Sequence, residues 1–433
     1  MSQPPDFVAR ISQPFAGITG VPIPIWNQSY SGTDMHLYSC GLPNLSFCYD
    51  GITNWNGDSL KDAGLSGAGV STSPEVAMLK AVAEAAERYA SSVLLDGEVL
   101  LETPRGLCGS SIDLSSIIAC TRAESSTGFV RQIDMNTPIR WVKGWCLIEQ
   151  CEKYVPAVMT HLFPRPTINE TFWLPISTGV AAHTSLETAA ISAICELVER
   201  DAIALNWLTR RVLPVIREHG GATEYFTESS RSDTTFHFFD ATTDVGVPTI
   251  YVIEEHLGDD ELANVVACCT DFDWREARDG TIRELCSTRS ALKHSSGPVP
   301  PTPELCTELE HGAQYMAQKE LAHGFDFMKQ STSLASMNRY DELAAMTPGE
   351  RISFLVDRIR LICPDLVLVD MTTDDLRDQG LFVVRAVAPG LVPMSTNYKY
   401  RYLGHPRLVK HLEDMKLDNN SDREFNSHPQ PFA

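Results

Sequence analysis

The sequence lacks a long apolar run, a paired-cysteine motif and an excess of basic residues. No uninterrupted apolar stretch in its 433 residues approaches the roughly 18 residues of a membrane span. None of its 12 cysteines belongs to a Cys-x-x-Cys pair, so neither a zinc site nor a disulfide framework is expected. Acidic residues number 56 against 35 basic ones, and the net charge of -21 disfavours nucleic acid and anionic membranes as partners.

Two further absences concern localisation and nucleotide binding. The first residues, "MSQPPDFVARISQPF", do not combine a basic start with an apolar core, so we expect a cytoplasmic protein. The sequence contains no Gly-x-x-x-x-Gly-Lys-Ser/Thr motif and no set of protein-kinase motifs. Any nucleotide is therefore bound without a familiar phosphate loop.

The apolar content predicts a globular fold of mixed type. Hydrophobic residues make up 43% of the chain, enough to fill a sizeable core. Stretches such as "RWVKGWCLI", "LVLVDMT" and "LFVVRAVAPGL" have strand composition. Because they alternate irregularly with helical segments, we predict an α/β fold of the mixed α+β kind, in which internally repeated helices pack on mixed sheets.

One helical segment occurs twice. "SPEVAMLKAVAEAAER", from Ser73, aligns without a gap with "SLETAAISAICELVER", from Ser185. The common pattern is Ser-x-Glu-x-Ala-x-x-x-Ala-x-x-Glu-x-x-Glu-Arg. Each serine suits the position before the first helical turn, and Pro74 suits the first helical residue. We therefore predict two equivalent helices.

A third, weaker copy lies in "REARDGTIRELCSTR". Ala277 and Glu284 keep the spacing of seven that the other copies show between their first alanine and first inner glutamate. Ser287 stands where the second inner glutamate would be. Arg289 falls one residue beyond the position of the arginine.

The inner glutamates of the two strong copies form pairs on one helix face. Glu84 lies beside Glu87 and Glu196 beside Glu199, since residues i and i+3 are neighbours on a helix. Two like charges about 4 Å apart cost on the order of 4 kcal/mol at an effective dielectric of 20. A solvated face with Glu–Arg ion pairs at i, i+4 would explain a single copy. Three copies, two of them in apolar sequence, favour a shared divalent metal.

The metal implied by carboxylates alone is Mg²⁺, which usually completes its coordination with water and phosphate oxygens. This suggests a nucleotide. Arg88 and Arg200, which follow the glutamates, could contact its phosphates. The small residues of "SGAGVS" and of "STGVAAHTS", which begins at Ser177, could let backbone N–H groups approach phosphates, although ordinary turns explain them equally well.

On these motifs the sequence resembles the YcaO family, in particular its azoline-forming cyclodehydratases. The resemblance is carried by "GAGVSTSPEVAMLKAVAEAAERYA", "STGVAAHTSLETAAISAICELVERDAIALNW", the Ala-x₆-Glu of "ARDGTIRE", "VVRAVAPGLVPM" with "YLGHPRL", and the end "HPQPFA". It implies an ATP-dependent enzyme that converts Cys, Ser or Thr residues of a ribosomal precursor peptide to thiazolines or oxazolines by phosphorylating a backbone amide oxygen.

The resemblance also implies roles for individual residues. The expected Mg²⁺ ligands, which also serve ATP, are Glu84, Glu87, Glu196, Glu199 and Glu284. Further ATP contacts are expected from Arg88, Ser177, Arg200 and Arg289. The expected catalytic residues are Arg200 and, in the terminal segment, Pro429, Pro431 and Ala433.

Two positions depart from the family pattern. Ala433 stands where the family's Pro-x-Pro-x-Pro end has its last proline, and Ala68 stands where relatives often carry a lysine. The second change implies that one nucleotide contact is lost or supplied by another residue.

The expected organisation has three parts. Residues 1–60 form a loop- and strand-rich entry segment, residues 61–412 the ATP-binding catalytic domain, and residues 413–433 a polar tail. The resemblance implies a homodimer in a complex with the precursor peptide, a separate leader-binding E1-like protein and, in some systems, a flavin-dependent azoline dehydrogenase. No nucleic acid and no membrane partner are expected.

Two alternatives remain open at this point. The same ATP site could perform another YcaO reaction, namely thioamide or amidine formation. The chain could instead be a non-catalytic docking subunit of the synthetase complex. Retention of all five glutamates argues against the second, because a scaffold gains nothing from charge concentrated in apolar helices.

Overall fold

The computed structural model describes most of the chain from residue 66 onwards. The described residues are 8–9, 25–28, 33–42, 66–94, 96–114, 117, 120–128, 130–162, 166–217, 233–295, 297–308, 310–395, 397–419 and 424–432. Most of the predicted entry segment, residues 1–60, therefore lies outside them.

The strands and helices alternate irregularly along the chain. The strands are β1 (Ile25–Gln28), β2 (His36–Gly41), β3 (Ser66–Ser71), β4 (Leu100–Glu102), β5 (Ile139–Cys146), β6 (Cys151–Pro156), β7 (Val180–His183), β8 (Thr234–Asp240), β9 (Thr249–His256), β10 (Asn264–Thr270), β11 (Val367–Asp370) and β12 (Phe382–Val387). The helices are α1 (Pro74–Ala90), α2 (Arg122–Ser126), α3 (Leu186–Leu208), α4 (Trp274–His294), α5 (His311–Ala317), α6 (Asp326–Lys329), α7 (Asp341–Ala344), α8 (Pro348–Ile359), α9 (Asp374–Asp378) and α10 (Pro406–Asn419).

These strands form three sheets. One has the order β1-β2-β3, a second β10-β9-β8, and the third β4-β5-β11-β12-β7 with β6 paired to β5. The predicted α+β class is confirmed, with one change: every pairing between these strands is antiparallel rather than mixed. Short connections, such as those within β8-β9-β10, join neighbouring strands directly and so favour antiparallel pairing.

The three copies of the repeat are three strand-then-helix units. In each, a strand (β3, β7 or β10) leads into a helix (α1, α3 or α4). The hydroxyl of Ser73 accepts a hydrogen bond from Val76 N at 3.3 Å, and that of Ser185 accepts one from Thr188 N at 3.4 Å. Asp273 takes the same position before α4. The predicted equivalence of the helices extends to the third copy because side-chain capping is set by local sequence.

The glycines of "SGAGVS" allow β3 to pack closely on α1. A Cβ on Gly69 would overlap the carbonyl oxygen of Ala77 and lie 2.6 Å from Ala81 N. A Cβ on Gly67 would overlap the backbone of α1 in the same way, one turn further along the helix. Strand β3 therefore lies directly on α1, which positions Glu84 on that helix next to the strand.

Replacing Gly69 by alanine should destabilise the fold by about 1–3 kcal/mol or more, because the added methyl meets helix backbone that cannot yield without moving α1. Urea denaturation of Gly69→Ala against wild type measures this change in the free energy of unfolding. Gly97→Ala is the matched control, since a Cβ at Gly97 meets no atom within 4 Å. Equal stability of the two variants would refute the packing role.

The C-terminal segment is packed into the protein, which corrects the predicted polar tail. Helix α10 continues past residue 412 to Asn419. Further on, Asn426 N donates to Leu208 O at 2.7 Å. Phe432 is buried in a core cluster and meets Tyr251 edge-on, with ring centroids 5.4 Å apart. Composition indicated a solvated tail, but a backbone hydrogen bond and the buried ring of Phe432 hold the segment against the protein.

Within the described ranges, no helix has the length and apolar character needed to cross a membrane.

Candidate active site

The three repeated helices enclose a cleft of about 660 Å³. Four of the predicted glutamates, from three helices, line it: Glu84, Glu87, Glu196 and Glu284. Glu199 lies in an adjoining pocket that shares Glu196 with the cleft. The volume falls within the roughly 300–1,000 Å³ typical of small-molecule sites. The structure thus brings carboxylates separated by up to 200 residues of sequence to one wall.

Backbone N–H groups anchor four of these carboxylates in a repeating pattern. The first inner glutamate of each strong copy accepts from the turn or strand before its own helix: Glu84 from Ala68 N and Glu196 from Gly179 N, both at 2.9 Å. The second accepts from the next strand unit of the chain. Ala182 N donates to Glu87 at 2.8 Å and Thr270 N to Glu199 at 2.9 Å.

Gly179 makes its contact from a left-handed conformation with φ of +84°. A side chain is disfavoured at this φ, and a Cβ would also lie 2.7 Å from Ala386 O. The glycine is therefore needed to aim its N–H at Glu196.

Both arginines of the repeat pair with glutamates in the cleft wall. Arg88 Nη2 lies 3.0 Å from Glu84 Oε1, and Arg200 Nη2 lies 3.3 Å from Glu196 Oε1. Arg200 Nη1 also lies 3.4 Å from Glu199 Oε1. The i, i+4 ion pairs considered from sequence do form, but they face the cleft rather than bulk solvent.

The buried carboxylates are held at unfavourable cost when no cation is present. Burial, together with the neighbouring Glu84, raises the pKa of Glu87 to about 8. Burial also raises the pKa of Glu199 to about 8, and Glu284 and Glu196 add to the shift against the opposing effect of Arg200. The pKa of Glu284 is raised by burial as well. Such a cluster favours a bound cation.

These shifts predict that the ligand-free protein loses stability as the pH rises. Because the pKa of each carboxyl is raised in the folded state, the unfolded chain loses the proton near pH 4.5, whereas the folded protein keeps it up to about pH 8. The folded state therefore loses stability across this window. Each group contributes up to about 1.4 kcal/mol per pH unit in this window. Urea denaturation across it should therefore give a shallower decline for the double variant Glu87→Gln/Glu199→Gln than for wild type. Parallel curves would contradict the raised pKa values.

The donor set fits Mg²⁺ completed by phosphate oxygens. The facing groups are carboxylates, which are hard oxygen ligands. Among the described residues, no three His, Cys, Asp or Glu side chains lie close enough to hold a metal ion by themselves. An anion that brings its own metal-binding oxygens would complete the coordination of a metal at this cluster.

Of the remaining predicted residues, some line the cleft and others do not. Ser177 lines the cleft together with Arg88 and Arg200. Arg289 does not line it: its guanidinium lies 3.0 Å from Glu254 Oε1 in a buried ion pair, so the prediction that it contacts ATP is wrong. Thr288, one residue earlier, faces the cleft instead.

The predicted catalytic prolines do not line the cleft either. Pro429 and Pro431 are buried in the C-terminal segment. Their catalytic role therefore stays a prediction. Ala433 lies outside the described residues.

Sequence reasoning missed three cationic residues at the site. Lys80 and Arg283 line the cleft, and burial together with Arg283 lowers the pKa of Lys80. Lys80 lies one turn before Glu84 on α1. Residues with this spacing share a helix face, so the sequence could have indicated that Lys80 lies beside Glu84. Arg385, in "VVRAVAPGL", is buried on β12 and donates from Nη1 to Ile176 O at 2.7 Å. Burial lowers its pKa to about 10.

A buried ion pair joins three of the quoted motifs behind the site. Asp201, next to Arg200, accepts from Arg407 Nε and Nη2, each at 2.8 Å. The same carboxylate accepts from Val392 N at 2.9 Å. Arg407 comes from "YLGHPRL" and Val392 from the Pro-Gly-Leu segment, so the pair fixes both segments against α3.

Comparison with known proteins gives one family match. The family model described as "YcaO cyclodehydratase, ATP-ad Mg2+-binding" matches residues 68–392, which is well over half of the chain. Its description contains the two ligands predicted from the sequence, so the prediction of ATP and Mg²⁺ is confirmed at the level of the family. No curated protein matches the chain significantly.

Solved structures show the same fold. A heterocyclase in complex with substrate and cofactor has a TM-score of 0.75 at 19% identity, over 98% of this chain and 57% of that one. YcaO from Methanopyrus kandleri, bound with AMPPCP and Mg²⁺, has a TM-score of 0.63 at 16% identity, over 89% and 91%. The E. coli microcin synthetase McbBCD complex has a TM-score of 0.59 at 12% identity, over 95% and 97%. This chain thus spans 57% of the heterocyclase's length.

Proposed function

The chain belongs to the YcaO cyclodehydratase family, and from this premise we propose that it is an ATP- and Mg²⁺-dependent cyclodehydratase of peptides. Its substrates are Cys, Ser or Thr residues of a ribosomal precursor peptide, which become thiazolines or oxazolines. The observation that carries the proposal is the convergence of glutamates from α1, α3 and α4 on one cleft beside Arg200. Holding so many like charges close together is costly unless they bind a cation.

The proposed roles of the cleft residues follow from their positions. When bound, Mg²⁺ would neutralise charge on the phosphates. Its ligands, directly or through water, are Glu84, Glu87, Glu196, Glu199 and Glu284. Arg200 and Arg88 contact the phosphates, and Ser177, which also lines the cleft, donates to them. Lys80 and Arg283 add the positive charge that Ala68 does not provide.

The proposed reaction needs no reagent other than the peptide and ATP. The thiol or hydroxyl of the substrate residue adds to the preceding amide carbon, and its proton leaves to a base. The amide oxygen, now an alkoxide, attacks the γ-phosphorus of ATP and displaces ADP. The carbon–oxygen bond then breaks, phosphate leaves with the former amide oxygen, and loss of the N–H proton forms the ring C=N bond. Positioning and charge stabilisation are what the protein supplies.

Pro429, Pro431 and Ala433 keep their predicted catalytic role in this proposal. In support, Phe432, which lies between Pro431 and Ala433, belongs to the same core cluster as Met394, and Met394 lines the cleft.

The proposed partners are a precursor peptide and a separate leader-binding protein, with a flavin-dependent dehydrogenase acting afterwards on the azolines. The chain itself is proposed to be a homodimer within the complex. The McbBCD complex, one solved form of which has pro-MccB17 bound, supports a peptide substrate and partner proteins.

Mass spectrometry of a candidate precursor with Cys-containing core, incubated with this protein, a leader-binding partner, ATP and Mg²⁺, tests the proposal. We expect the loss of one water for each modified residue. If the amide oxygen before the cysteine carries a heavy isotope, that isotope should appear in the released phosphate. An exchange of oxygen for sulfur would instead identify thioamide formation, and a ring closed between distant residues would identify an amidine. No ATP consumption with peptide and partner would favour a docking subunit.

A further inference from the structure

A small pocket opens off the cleft beside Arg200. Three residues, Ile176, Thr178 and Arg200, line both spaces. The rest of this side pocket is mainly apolar and includes Trp173 and Arg385. Its volume of about 40 Å³ admits a few atoms and no large side chain, since a single water needs roughly 10–15 Å³ by this measure.

Three N–H donors of the side pocket have no acceptor. Trp173 Nε1, Arg385 Nε and Arg200 Nε are buried and make no hydrogen bond within the described residues. Trp173 is 9% exposed and Arg385 only 3%. No carboxylate lines the pocket. Leaving buried donors unpaired costs free energy, and three together indicate an oxygen ligand that brings acceptors and no donors.

We propose that the side pocket binds the backbone carbonyl oxygen that is phosphorylated, which belongs to the residue before the one that cyclises. This inference rests on the proposed function and identifies where its peptide substrate reacts. A carbonyl group is small, accepts hydrogen bonds and donates none, which matches the volume and the three donors. The oxygen would then lie next to Arg200, at the border with the cleft that holds the phosphates.

The donors act mainly after the nucleophile has added. Addition of the thiol or hydroxyl turns the neutral carbonyl oxygen into an alkoxide, so hydrogen bonds to it strengthen as charge develops. Donors fixed in a water-poor pocket need no reorganisation at that moment. Trp173, Arg385 and Arg200 would therefore lower the barrier more than they tighten peptide binding.

Trp173→Phe is the direct test because it removes one N–H and keeps an aromatic ring. The peptide turnover number should fall by about 10- to 1000-fold with little change in the peptide KM. Nucleotide binding, measured by isothermal titration with AMPPCP and Mg²⁺, should stay at the wild-type level. Any loss of stability should come only from the smaller ring, since the lost donor had no partner among the described residues.

Trp141→Phe is the matched control. The indole N–H of Trp141 is also buried but donates to Glu102 O at 2.9 Å, away from the cleft. This variant should lose stability and keep the wild-type turnover number. A second test, Ala388→Leu, fills the side pocket from its wall and should block peptide modification by more than about tenfold while nucleotide binding persists.

The outcomes separate this inference from the function on which it rests. If wild type modifies the Cys-containing precursor and both Trp173→Phe and Ala388→Leu, when folded, do so equally well, the pocket assignment is wrong and the cyclodehydratase proposal stands. If wild type consumes no ATP with precursor and partner, the proposed function fails and this inference fails with it.

Discussion

Glu199→Gln should abolish ATP-dependent peptide modification, with a loss of at least about 1000-fold in turnover. Glu199, on α3, contacts both β10 and Arg200. Its Oε2 accepts from Thr270 N on β10 at 2.9 Å, and its Oε1 lies 3.4 Å from Arg200 Nη1. Glutamine keeps the size but replaces one oxygen by a donor, which faces either an N–H group or a guanidinium. The variant therefore lacks both the charge and the oxygen geometry that Mg²⁺ requires.

Phosphate release in the presence of peptide and partner measures this loss, and mass spectrometry of the peptide confirms it. Glu152→Gln is the matched control, since Glu152 is exposed on β6 and, among the described residues, pairs only with Lys143, at 3.0 Å. The control should keep full activity. Unchanged products from Glu199→Gln would remove Glu199 from the metal site.

Arg200→Lys should lower turnover by about 100-fold or more, although it keeps the positive charge. Glu199, Glu196 and Glu284 together raise the pKa of Arg200 against the opposing effect of burial, so the guanidinium stays charged. Its two terminal nitrogens face Glu196 and Glu199 while Nε remains free to donate elsewhere. A lysine carries its three donors on one nitrogen and cannot reproduce the planar fork, in which the terminal nitrogens face two carboxylates while Nε faces a ligand.

The effect of Arg200→Lys should appear in the turnover number as well as in nucleotide affinity, both of which are measured at saturating peptide. Arg360→Lys is the control, because Arg360 is exposed at the end of α8 and pairs only with Asp357 among the described residues. Turnover within about threefold of wild type for Arg200→Lys would show that charge alone is required there, and that the fork of the guanidinium has no role.

The equivalent arginine of the first copy offers a comparison within the same protein. Arg88 Nη2 contacts Glu84, but no second glutamate lies within ion-pair distance of Arg88 in the described structure. Arg88 therefore has one carboxylate partner where Arg200 has two.

The sequence by itself determined the features that depend on local geometry. Helix periodicity puts Glu84 beside Glu87 and Glu196 beside Glu199 in any fold, because residues i and i+3 share a face. Capping residues set where the repeated helices begin. The carboxylate-only ligand set, and with it Mg²⁺ and a nucleotide, follows from residue type.

Only the tertiary structure decided which side chains meet. Arg289 is one residue away from the position of Arg88 and Arg200 in the repeat, and one residue turns a side chain by about 100° around a helix. It therefore leaves the cleft and pairs with Glu254. Likewise the polar composition before Phe432 did not reveal that this ring is buried against Tyr251.

The side pocket shows most clearly the difference between what local sequence indicates and what long-range packing decides. Trp173 and Arg385 are far apart in the sequence, and neither carries a local signal of an unpaired donor. Whether a buried N–H has an acceptor depends on every segment packed around it, so it cannot be deduced from neighbours in the chain. Local spacing fixed the chemistry that each helix offers, and long-range packing fixed which donors were left for a ligand.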